Sequence, residues 1–225
     1  MTSPFTDSDG VPTPAPFRWT SLDLTVFGVF FALTVLFLPL LMFQVLRLFQ
    51  PRLTLASLSG SQQVLLQAIM DLVLVGFIVF LIRVVHGLPL LATIRWSRAA
   101  SYRWGNLAMV GMLLAVSVLG VSALFPPAEE PPIQKLITSS GALYLFALFG
   151  VGVAPLVEEI IFRGFLFGVI QDIRGEAAAV PATAALFTML HIPQLWGSWA
   201  GILLIFLVGY VLSEVRRRSN SLIPS

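Results

Sequence analysis

Long uncharged runs constrain this chain more than any other feature of its 225 residues. Leu24 to Leu46 is one such run, with Pro39 inside it as an expected kink. Gln62 to Ile82 is a second, interrupted only by Asp71. Trp104 to Phe125 is a third, closed by Pro126 and Pro127. A fourth begins at Gly141 and meets a charged cluster at Glu158. Ala177 to Ser213 carries no formal charge when His191 is neutral. At about 1.5 Å per residue it is too long for one crossing. Pro193, Gly197 and Gly201 supply a break, which predicts spans over Ala177–Ile192 and Trp199–Ser213. A spanning helix needs about 20 apolar residues to cross about 30 Å of hydrocarbon. Backbone facing lipid must satisfy its own hydrogen bonds, so each span is predicted to be helical. The predicted fold is therefore all-α: a polytopic membrane helical bundle of about six transmembrane helices.

Composition agrees. Hydrophobic residues make up 57% of the chain and charged residues only 11%, against about 25% charged in soluble proteins. That excludes a disordered chain, a collagen-like chain and a soluble nucleic-acid binder. The net charge of +2 also gives no reason to expect a nucleic-acid partner. The absence of cysteine excludes disulfides and thiolate metal sites. Residues 1–20 are rich in Pro, Asp, Ser and Thr, and are predicted to be a disordered cytoplasmic tail. Residues 21–225 then form the transmembrane helical domain.

Nine basic residues fall on one predicted side of the membrane: Arg18, Arg83, Arg95, Arg98, Arg103, Arg174 and Arg216–Arg218. The other side has three: Arg47, Arg52 and Lys135. The bias predicts a multi-pass protein of the cytoplasmic membrane with both termini cytoplasmic. Arg216–Arg218 is read as a topology determinant, with contact to anionic lipid as a secondary role.

Ionisable residues at membrane depth are costly, and mark functional sites by default. The fourth run reads Ala154-Pro155-Leu156-Val157-Glu158-Glu159-Ile160-Ile161-Phe162-Arg163-Gly164. Glu159 and Arg163 are four apart and can pair on one helix face. Glu158 lies about 100° round the helix and is left to point into the bundle as a general base toward water. The apolar pattern continues to Ile170, which puts Glu158 roughly 20 Å from the helix end, near mid-membrane. His191 lies on the next helix. The intervening turn is expected near Arg174–Gly175, with Glu158 16 or 17 residues before it and His191 16 or 17 after it. Equal arms of an antiparallel hairpin bring the two to one depth. Phe187, one turn before His191, is expected on the same face, lining the cavity. Asp71 is read as a satisfied helix–helix hydrogen bond or as a further cavity-lining group. Trp196 and Trp199 fit an interfacial aromatic belt.

Glu158-Glu159-x-x-x-Arg163 followed by Phe187-x-x-x-His191 resembles the first two motifs of the CPBP family of intramembrane proteases. That family comprises CAAX proteases and bacteriocin-processing enzymes, and its members are also called Abi proteins. The resemblance covers about residues 133–225. It implies an all-helical fold and peptide-bond hydrolysis in a cavity within the bilayer. Glu158 maps to the glutamate that activates water, Glu159 and Arg163 to its supporting pair, and His191 to the catalytic histidine. Members are often described as metalloproteases, which implies zinc or another divalent metal, with Glu158 and His191 as candidate ligands. The implied partners are membrane lipids and a membrane-associated peptide or protein substrate, for CAAX-type processing or for bacteriocin processing and self-immunity.

The family pattern also has a later His-x-x-x-Asn helix, and no such motif follows Arg218. Ser219–Ser225 resembles the opening of that helix, so the chain reads as stopping short of it, with a further helix missing. A catalytically degenerate membrane binder or scaffold of the same fold is the alternative. A small transporter with Glu158 and His191 as a proton relay is a third reading, opposed by the lack of internal repeats.

Overall fold

The computed structural model describes residues 17–97, 104–126, 143–144 and 147–223. Residues 1–16 of the expected tail and the loop carrying Glu129, Glu130 and Lys135 lie outside the described residues, as do Arg98 and Arg103. Among the described residues the regular structure is entirely helical. Helix α1 spans Ser21–Phe49 and continues through Pro39. Helix α2 runs Gly60–Val85, α3 is a single turn at Leu90–Thr93, and α4 is Trp104–Leu124. Helix α5 occupies residues 148–174, α6 is Glu176–His191 and α7 is Trp199–Ser219.

The helix starts are written locally. Thr20 caps α1: its hydroxyl accepts the Asp23 N–H at 3.4 Å, and the Asp23 carboxylate accepts the Thr20 N–H at 2.8 Å. Ser59 and Gln62 repeat the arrangement at α2. Pro155 brings no N–H to α5. The turn just before it, Leu148–Val153, is π-helical, and so is Glu159–Leu166. The backbone stays right-handed helical at every junction, so α5 is one continuous rod. It ends at Gly175, whose φ of 85° favours glycine, and the chain turns straight into α6.

Among the described residues, four helices are long and apolar enough to cross a membrane: Ser21–Phe49, Gly60–Val85, Gly105–Leu124 and Trp199–Ser219. These include three of the expected spans and the second half of the Ala177–Ser213 run. Of the other two expected spans, α5 carries five charged residues, Glu158, Glu159, Arg163, Asp172 and Arg174, and α6 has only 16 residues, about 24 Å at helical rise.

The core lies where α5 meets α1, α2 and α6. Residues 161–167 are buried all round, as are Val169 and Ile170. Phe27, Ile78, Ile82, Phe165 and Val169 form its centre. Trp19, in the expected tail, is also buried there, edge-on to Phe165 at 5.1 Å. Its backbone N–H donates to Asp172 at 2.9 Å. Phe17–Thr20 therefore contributes to the packed structure. His86, at the end of α2, pairs with Asp23 at 2.7 Å, and the Leu222 N–H donates to the Arg95 carbonyl at 2.9 Å. These contacts gather the start of α1 and the ends of α2, α5 and α7 at one end of the bundle. Arg18, Arg83, Arg174 and Arg216–Arg218 are at or beside these termini.

Candidate active site

The α5–α6 hairpin brings the predicted pair together. His191 Nε2 lies 3.6 Å from Glu158 Oε1. Nδ1 of the same ring sits 2.8 Å from the Phe187 carbonyl oxygen. A carbonyl only accepts, so Nδ1 carries a hydrogen, and Nε2 is the nitrogen turned toward the carboxylate. Both side chains line a cavity of about 610 Å³. Its walls are Gln63, Gln67 and Asp71 of α2, Ala154 and Glu158 of α5, and His191 with Pro193 and Gln194 beyond α6. Phe149, Gly150 and Val151 complete it.

Behind this wall sits the second expected pair. Arg163 Nη1 is 3.2 Å from Glu159 Oε1, and the arginine is fully buried. A buried guanidinium needs several partners. Nη2 donates to the Gly209 carbonyl at 3.3 Å, and the cation lies 4.5 Å from the centre of the Phe187 ring. The Arg163 carbonyl in turn accepts Arg216 Nε at 3.1 Å. The Glu159–Arg163 pair thus ties α5 to α7, while Glu158, on the adjacent face, reaches the cavity.

Phe187 needs a correction. It does not line the cavity. Its ring is buried behind His191, edge-on to Phe162 at 5.1 Å and 4.4 Å from the imidazole. The two side chains share a face of α6, yet only the residue one turn further along reaches the open space. Asp71 does line the cavity, and the hydrogen bond it accepts comes from Gln67 of its own helix at 2.8 Å rather than from a neighbouring helix.

Sequence reasoning missed Arg216. In sequence the Arg216–Arg218 run reads as one basic cluster, but its members diverge. Arg217 and Arg218 bind Glu214 at 2.7 and 2.6 Å, whereas Arg216 turns inward and is buried. The signal was present: Gly209, Ser213 and Arg216 recur at spacings of four and three, so they share one helix face.

Among the described residues, no three His, Asp or Glu side chains gather as a metal ion would need. The expected zinc or other divalent ion meets two donors here, Glu158 and His191, where a catalytic zinc site takes three. Among the described residues, these two donors alone do not make such a site.

Comparison with known families bears directly on this region. Residues 140–225 match the model of the family described as type II CAAX prenyl endopeptidase Rce1-like. This segment is similar to an Rce1-like domain. It contains Glu158, Glu159, Arg163, Phe187 and His191, and agrees with the resemblance drawn from their motifs. No curated protein and no solved structure matches the chain. The match covers a little over a third of the chain and leaves α1, α2 and α4 outside. Asp71, contributed by α2, stands in the cavity wall from outside the matched segment.

Proposed function

We propose that this protein is an intramembrane endopeptidase of the CPBP type, hydrolysing a peptide bond of a membrane-associated protein or peptide in CAAX-type processing. The supporting observation is the meeting of Glu158 and His191 at a cavity wall among helices of membrane-spanning length, inside a segment that matches an endopeptidase family. In this reaction Glu158 takes a proton from water as the water oxygen bonds to the scissile carbonyl carbon. The carbonyl electrons move onto oxygen, giving a tetrahedral oxyanion. When the electrons return, the C–N bond breaks, and Glu158 passes its proton to the leaving nitrogen. One water is consumed, and a carboxyl and an amine terminus are released. His191, held through Nδ1, turns Nε2 toward Glu158; as an imidazolium it carries a second N–H there, whose positive charge favours the oxyanion. Glu159 and Arg163 act through Glu158, by fixing the helix that presents it.

In this proposal α5 and α6 are the remaining two of six crossings, and the basic end of the bundle faces the cytoplasm of a cytoplasmic membrane. The test uses the full chain reconstituted in vesicles with a fluorogenic prenylated CAAX peptide. Glu158→Gln keeps the side-chain shape and removes the base. Turnover is expected to fall by roughly 10²–10⁴-fold, with the unfolding temperature unchanged. Wild-type turnover in that variant would overturn the assignment of Glu158. A wild-type protein that spares prenylated peptides and cuts unprenylated membrane peptides would retain the hydrolase and discard the CAAX substrate.

A further inference from the structure

A second cavity, of about 520 Å³, opens at the basic end of the bundle, and the chemistry above does not use it. Trp19, Arg95, Trp96, Asp172 and Arg216 stand in its wall. Arg216 is 1% exposed, and its Nη1 has no hydrogen-bond partner among the described residues. A buried, charged N–H without an acceptor is costly unless a ligand supplies one. Arg95 is set in place from two directions. Its carbonyl accepts the Leu222 N–H, and its guanidinium donates to the Asn220 side chain. Its backbone has φ 56°, a region that L residues other than Asn and Asp rarely adopt. Such a backbone is a feature that surrounding structure has to impose.

Against these two guanidinium groups, the wall has, among the described residues, one acidic side chain, Asp172, and its Oδ2 already accepts the Trp19 N–H. Donors therefore exceed acceptors, and two like charges face one space. An anion rich in acceptor oxygens resolves both, and guanidinium geometry suits phosphate. Phe17 and Trp96, both partly exposed, flank the opening. Aromatic residues at this level mark a headgroup region.

The geometry points to a phosphate-binding site in this cavity, with the phosphodiester of an anionic lipid headgroup as the ligand. Free inorganic phosphate shares the chemistry and is distinguished below. The site stands independently of the proposed proteolysis. It also abuts that machinery, since Arg216 Nε holds the carbonyl of Arg163.

The test is native mass spectrometry of the full chain in detergent, with equal phosphatidylglycerol and phosphatidylcholine. Thermal unfolding with and without inorganic phosphate is run in parallel. The wild type is expected to retain phosphatidylglycerol preferentially. Arg95→Gln should cut that retention roughly tenfold, the scale of a lost charge-assisted hydrogen bond. Arg95→Lys keeps the charge without the fork and should fall between. Arg218→Gln makes the same charge change at an exposed residue bound to Glu214, outside the cavity, and should stay within about twofold of wild type. Stabilisation by inorganic phosphate without lipid retention would keep the phosphate site and overturn the lipid as its ligand. Equal retention of the two lipids with no phosphate effect would overturn the site, as would equal losses in Arg95→Gln and Arg218→Gln.

Discussion

Helices α4 and α7 are both long and apolar enough to cross a membrane, yet they are used in opposite ways. α4 is the more apolar, and the described residues bury nothing in its apolar window. α7 is the less apolar, and 22% of its window is buried. Its buried positions are Leu204, Gly209, Ser213 and Arg216, three of them small or charged. In water the order would be reversed, because apolar surface drives burial. Against hydrocarbon, a leucine gains little from meeting another leucine, so small residues and polar groups decide which faces pack. Membrane location is therefore read from the apolar residues, and the site from the few that are not.

The sharpest way to break this comparison is to remove the charge at the centre of the packed half. Arg163 joins Glu159, the Gly209 carbonyl and the Phe187 ring. Arg163→Met keeps much of the volume and removes the cation shared by Glu159, the Gly209 carbonyl and the Phe187 ring. A loss of about 3–5 kcal/mol is expected, as for breaking a buried ion pair. Equilibrium unfolding in mixed micelles measures it. A loss below about 1 kcal/mol would mean that the network is ornamental, and that the burial of residues 161–167 rests on apolar contacts alone.

A smaller effect is expected where Gly209 of α7 meets α6. A Cβ placed on Gly209 would lie 3.2 Å from Phe187 Cδ1 and 3.4 Å from the Ala184 Cα. Gly209→Val must push α6 away, together with the His191 it carries. A cost of about 1–3 kcal/mol is expected, the range for overpacking a filled interior. If α6 moves as a unit, turnover falls more than the stability loss alone explains. If stability and turnover are both unchanged, the close approach is not what positions His191.

The site was legible in the sequence to the extent that spacing determines depth. Counting equal arms from the Arg174–Gly175 turn brings Glu158 and His191 to one level, because helical rise is constant, and they do meet. Spacing alone could not tell which of two residues on one face reaches open space, so Phe187 was placed on the cavity wall when it lies behind it. Arg216 separates from its two neighbours only when helical phase is counted, since it alone of the three shares a face with Gly209 and Ser213. The contacts of Trp19 and of the Asp23–His86 pair were invisible for another reason. They join residues 153 and 63 positions apart, and no local pattern encodes such pairs.

The weakest expected effect tests the other half of the comparison. Leu119, on α4, is 71% exposed in the protein, and its surroundings in a bilayer are hydrocarbon. In a water-soluble core, Leu→Ala costs about 2–5 kcal/mol, because a cavity is left and apolar surface returns to water. At Leu119 neither term applies: lipid chains fill the space, and no water is met in either state. Leu119→Ala should therefore change stability by less than about 0.5 kcal/mol in the same unfolding measurement, with turnover unaltered. A loss approaching that of a core leucine would mean that α4 has a protein partner on that face. Its exposure would then mark an interface rather than contact with lipid, and the contrast with α7 would become one of partner rather than of solvent.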